Sequence, residues 1–244
     1  MSNARVGALS VIAFAVVGIA WIALEIAPVS LGLANGDDPA VTLGYLRAHP
    51  DTYVGTGSVL LLMAITLAVS AFAVSDVLAL RADSLALRSA SVLGLFSAAF
   101  FLMFGVLRLS TGPLLYIDSL DRDWGEAAYL VGQVVGVHGF AQAGVFALCL
   151  WAIGISLIGL RTRALPVVIC LLGVIPVIRI LGLLGPLGVL PDDIPDGLWI
   201  VFMVSIPGVM LWCFILGLVL LRGRDPMHVP EAQATWRRVE LDGS

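Results

Sequence analysis

The chain is predicted to be all-α, a polytopic membrane bundle of six transmembrane helices with both termini cytoplasmic. Three observations carry that prediction. Of 244 residues, 60% are hydrophobic and 12% charged, whereas an ordinary soluble domain carries about 25% charged residues. Apolar runs long enough to cross about 30 Å of hydrocarbon recur six times. The arginines alternate between loops: Arg5, Arg81, Arg88, Arg161, Arg163, Arg222, Arg224, Arg237 and Arg238 fall on one side, Arg47 and Arg122 on the other. The positive-inside rule makes the first side cytoplasmic.

The first run is Val6–Ala27. One arginine before an apolar stretch resembles a signal peptide, but this run is long for one, so it is read as a retained helix. The outer loop 28–52 contains NGDDPA and then VTLGYLRAH, a candidate interfacial helix that Pro50 ends and that could lid the outer face. Tyr53–Leu80 is the second span, with Asp76 near its inner end. The short connection RADSLALR leads into the third, Ser89–Leu109, and forces the two to pack as a hairpin.

The fourth span, Ala127–Leu160, is glycine-rich, and Gly132 with Gly136 forms a small-xxx-small pair that predicts a close backbone approach. The connection RTR makes a second hairpin with the fifth span, Ala164–Leu190, in which Pro176 removes one helical hydrogen bond and predicts a kink. The sixth is Leu198–Leu221, and residues 223–244 form a polar cytoplasmic tail predicted to be flexible, leaving 1–222 as one transmembrane domain. Tyr53, Tyr116, Trp124, Tyr129 and Trp199 are placed as an outer interfacial belt.

Composition also excludes. A pI near 5.2 with no basic patch argues against nucleic acid, and the absence of lysine excludes a retinal Schiff base. Cys149, Cys170 and Cys213 lie within spans without CxxC spacing and read as buried apolar thiols. Asp192, Asp193 and Asp196 spell DDIPD, formally a magnesium-diphosphate pattern, but Pro195 keeps the carboxylates off one helical face. Neither a metal nor a cofactor is expected.

Charges inside the spans point to function. Glu25, Arg108 and Arg179 sit in apolar stretches, where each costs about 2.5–3.5 kcal/mol on insertion scales unless it meets a partner or a cavity. With Gln133 and His138 they fall in the outer half of the membrane. Phe14, Gly18, Trp21 and Glu25 share one helical face; Ser97, Phe101, Phe104, Arg108 and Thr111 share another. His138 and Gln142 are one α-helical turn apart, while Gln133 points elsewhere. An apolar cavity with a polar roof follows, suited to an amphiphile. Two arginines against one acid favour an anionic end on that ligand. The alternative is a structural ion pair that pins helices together.

GYLRAHPDTYVGTGSVLLLMAITLAV, LFSAAFFLMFGVLRL and VHGFAQAGVFALCLWAIGISLIGLRTRALPVVICLLGVI are similar to segments of uncharacterised bacterial six-span membrane proteins grouped as a domain of unknown function. The likeness covers about two-thirds of the chain; it implies six spans and no activity. Arg179 departs from it.

The functional expectation is an enzyme of cyclase or isomerase type acting on an isoprenoid or lipid, similar in size to small polytopic terpene cyclases. Glu25 or His138 would do acid–base chemistry, and Arg108, Arg179, Gln133, Gln142, Trp21, Phe101 and Phe104 would bind substrate. The alternatives are a small transporter or binding module, in which a second copy of the chain would be a partner, or an accessory protein.

Overall fold

The computed structural model describes residues 3–30, 39–79, 84–116, 122–177 and 196–222. In chain order it contains α1 (Asn3–Ser30), α2 (Pro39–Ala48), α3 (Pro50–Leu78), α4 (Ser84–Tyr116), α5 (Arg122–Val131), a π-helical segment (Gly132–Ala141), α6 (Gln142–Thr162), α7 (Val167–Leu172) and α8 (Asp196–Arg222). The described residues form helices and no strands. Helix is the conformation an apolar chain needs where water is absent, because it pairs its backbone groups within the segment. Among the described residues, five helical stretches are long and apolar enough to cross a membrane: Arg5–Glu25, Asp51–Leu78, Leu85–Pro113, Trp124–Thr162 and Ser205–Arg222. Of the predicted fifth span, the part beyond Val177 lies outside the described residues, as do Arg179, Asp192, Asp193 and the tail 223–244.

Residues 39–48 do form the short helix expected before Pro50. Pro50 then occupies the start of α3, where its missing N–H would have had no helical partner. His49 between them has φ −131° and ψ 63°, outside the helical region that a following proline disfavours. Leu43 and Leu46 of α2 pack with Tyr53 and Tyr129 in a small cluster of their own. This cluster corrects the aromatic belt: Tyr53 and Tyr129 are buried, whereas Trp124 is 67% exposed.

The α3–α4 hairpin has the most extensive packing in the molecule, and α1 lies against both α3 and α8. Tight backbone approaches are made elsewhere: a Cβ on Gly105 would stand 3.0 Å from the Gly57 carbonyl oxygen, and one on Gly217 3.0 Å from that of Ala8. Gly132 and Gly136, the predicted pair, instead make room for rings, those of Tyr53 and Phe104. Deeper in the core Trp151 of α6 meets Trp212 of α8 edge-on at 5.8 Å. The Trp212 indole N–H donates to the Ile169 carbonyl across to α7 at 2.9 Å. All three cysteines are buried thiols outside any disulfide.

The ends of α6 and α7 are each set by a specific backbone turn. Arg163 ends α6 with φ 53°, a left-handed conformation, and the Ala164 N–H reaches back to the Gly159 carbonyl at 3.0 Å. Together they form a Schellman stop, normally the place of a glycine. Ahead of Pro176, α7 stops at Leu172, and the Ile175 N–H donates to the Leu172 carbonyl at 3.3 Å in a tighter turn; the chain beyond Val177, on which the predicted kink depends, lies outside the described residues.

Candidate functional site

Glu25 and Arg108 meet between α1 and α4. A guanidinium nitrogen of Arg108 lies 2.8 Å from Glu25 Oε1 and 3.1 Å from Oε2. The indole N–H of Trp21, one turn earlier on α1, donates to Oε1 at 3.3 Å. The two partners are unequally covered: the Arg108 side chain is 6% exposed and that of Glu25 30%. Arg108 also lies over the rings of Tyr53, at 4.7 Å, and Phe104, at 4.9 Å. Such contacts are worth about 0.5–2 kcal/mol each when desolvated, and they help hold a buried cation that would otherwise be costly. Its Nε is buried with no partner among the described residues.

Tyr53 is fixed in turn. Its hydroxyl bonds to Thr111 Oγ1 at 3.1 Å, and Thr111 donates to the Leu107 carbonyl at 2.8 Å. That second bond makes Tyr53 the donor to Thr111. The phenol abuts Gly132, where a Cβ would come within 2.6 Å of its oxygen. Tyr53 was missing from the sequence-derived site because its position near the outer end of α3 reads as interfacial. Its i+3, i+4 and i+7 spacing to Thr56, Gly57 and Leu60, all of which are buried, was the available signal.

Beside the ion pair opens a cleft of about 270 Å³. Trp21, Ile22 and Glu25 of α1, Phe104 of α4, Val137 of the π segment, and Ile206 and Pro207 of α8 line it. Trp21 packs edge-on against Phe101 of α4, with ring centroids 5.9 Å apart. Phe101 itself is fully buried and is not a lining residue. On α1 the two positions one and two turns before Trp21 are also filled: Met210 packs onto Gly18, and Phe14 is fully buried.

The other predicted site residues sit apart from this cleft. Gln133 donates to the Tyr129 hydroxyl at 3.0 Å, one turn back on the same rod. His138 is exposed on the outside of the bundle and does not line the cleft, and Gln142 is half-buried. His138 stands two residues from buried Gly136 and so turns away from the buried face; residues 132–141 are wound as a π-helix, in which the Gln142 N–H reaches the Val137 carbonyl five residues back. That winding buries Gly132, Gly136 and Ala141, a wider spacing than an α-helix gives. A 3.6-residue period therefore misplaces the residues in and after it. Arg179 lies outside the described residues, and these contain no group of three or more His, Cys, Asp or Glu able to hold a metal.

The arrangement is chemically simple. A carboxylate, oriented by an indole N–H and charge-balanced by a buried guanidinium, faces an apolar cleft open to one side of the bundle. Comparison of the chain with protein-family models, with curated proteins and with solved structures finds no match.

Proposed function

We propose that the chain is a multi-pass cell-membrane protein of six spans with both termini cytoplasmic. It takes an isoprenoid or lipid-like molecule into the cleft beside Glu25 and acts on it by acid–base chemistry. The observation that carries this reading is the exposure of Glu25, the one titratable residue among the described residues lining an otherwise apolar cleft. A pair serving only to pin helices needs no such opening. The acid–base role falls to Glu25 rather than His138, because the histidine does not line the cleft. Phe14 and Met210, both fully buried on the inner side of Trp21, favour a closed pocket over a conduit. The likeness to bacterial six-span proteins of unknown function belongs to the same proposal.

The test is mass spectrometry of lipophilic molecules retained by gently purified protein, wild type beside Glu25→Gln. A discrete amphiphile bound by the wild type, and recovered chemically altered only when Glu25 is present, supports the enzyme. An empty wild-type protein, or equal turnover in the variant, overturns it.

A further inference from the structure

The unequal covering of the ion pair restricts what the polar end of a bound molecule can be. This inference rests on the cleft being a binding site for a hydrophobic molecule, as proposed above. Counting arginines along the sequence favours an anionic ligand. Among the described residues, however, the guanidinium of Arg108 is 6% exposed, is not part of the cleft lining, and is engaged with Glu25 and the rings of Tyr53 and Phe104. What a ligand meets is the Glu25 carboxylate, 30% exposed. An ionised carboxylate only accepts hydrogen bonds. An anion placed there would face like charge at close range, with the compensating cation already committed.

Charge balance narrows the choice again. One carboxylate and one guanidinium leave the described site neutral, and a net charge within an apolar cleft is costly to carry. A cationic head would leave an unbalanced positive charge; a neutral donor leaves none. The size of the cleft fits the same idea: about 270 Å³ is many times the ~10–15 Å³ that holds a single water, room for an alkyl chain.

We infer that the cleft selects an uncharged apolar alcohol, its hydroxyl donating to Glu25 and its chain lying along Trp21, Ile22 and Ile206. Trp21 serves as a positioning residue, its indole N–H holding Oε1 so that the carboxylate stays oriented toward the cleft.

The experiment uses the full chain in lipid nanodiscs and a ten-carbon alcohol bearing a diazirine on its chain. Cross-links are mapped by peptide mass spectrometry, with decanol, decylammonium and decanoate as competitors. Labelling on α1 near Trp21–Glu25, displaced by decanol at about one-tenth the concentration needed for either charged analogue, is the expected result; a hydrogen bond to a charged acceptor is worth about that factor or more. In Glu25→Gln the order should change, with decanoate becoming the best competitor because Arg108 is then unbalanced. If the cleft is labelled but decanoate or decylammonium competes best in the wild type, the alcohol assignment falls while the binding site stands. If α1 is not labelled at all, the binding reading itself falls.

Discussion

Gly132 stands against the phenol of Tyr53 so closely that a Cβ would lie 2.6 Å from the hydroxyl oxygen. The contact joins the π segment to the ring beneath Arg108, and through Arg108 to Glu25. Gly132→Ala should displace Tyr53, break its bond to Thr111 and destabilise the protein by about 1–3 kcal/mol, the usual cost of overpacking. Gly139→Ala, whose new Cβ would find its nearest neighbour at 3.7 Å, should be neutral or slightly stabilising. Thermal unfolding of both variants in one detergent checks the pair; equal melting temperatures would contradict the contact.

The ion pair should respond asymmetrically. Glu25→Leu strands a guanidinium that is 6% exposed, whereas Arg108→Leu leaves a carboxylate that is 30% exposed. Removing one partner of a buried pair costs about 3–5 kcal/mol. The glutamate variant is expected near that range and the arginine variant below it. The double variant should be more stable than Glu25→Leu alone. Unfolding free energies in a double-mutant cycle measure this, and an additive result would mean the two charges do not interact.

Ser97 provides a test of the core away from the site. Its hydroxyl is fully buried and donates to the Gly144 carbonyl across the α4–α6 contact at 2.7 Å. Ser97→Ala leaves that extra acceptor bond unmade and is expected to cost about 1 kcal/mol. Its effect on ligand retention should be nil, since Ser97 does not line the cleft. A change in retained ligand without a change in stability would show that α4 transmits more than packing.

Arg163→Gly is expected to stabilise. The left-handed conformation at φ 53° costs an L-residue about 1 kcal/mol that glycine does not incur. A gain of that order should appear as a higher melting temperature. An unchanged value would mean that the arginine side chain offsets its own backbone strain.

The sequence made the helices legible because membrane-spanning length is written in uninterrupted apolar residues, and α1, α3, α4 and α8 follow the predicted runs to within a turn or two at each end. Helical periodicity also placed Phe14, Trp21 and Glu25 on one inward face, and Phe101, Phe104 and Arg108 on another. What it missed traces to two physical causes. The π winding of 132–141 changes the angular step per residue and brings Val137 to the cleft, while His138, placed by depth alone, stands two residues from buried Gly136 and turns outward. Tyr53 looked interfacial because depth was counted along α3 alone, whereas α2 and α5 cover that end and bury it.

Ten residues wound with a wider turn also separate two stretches of ordinary helix within one continuous rod. The amphipathic α5 and the apolar α6 are thereby set out of phase, as two gears on one shaft keyed at different angles. An insertion or deletion of a single residue between 132 and 141 could be absorbed by tightening or widening that winding, with both flanking faces kept in contact with their neighbours. The same change inside α4, which runs without such a segment along the ion pair, would rotate Arg108 off Glu25. The π segment is therefore a place within the described helices where a change of length can be taken up.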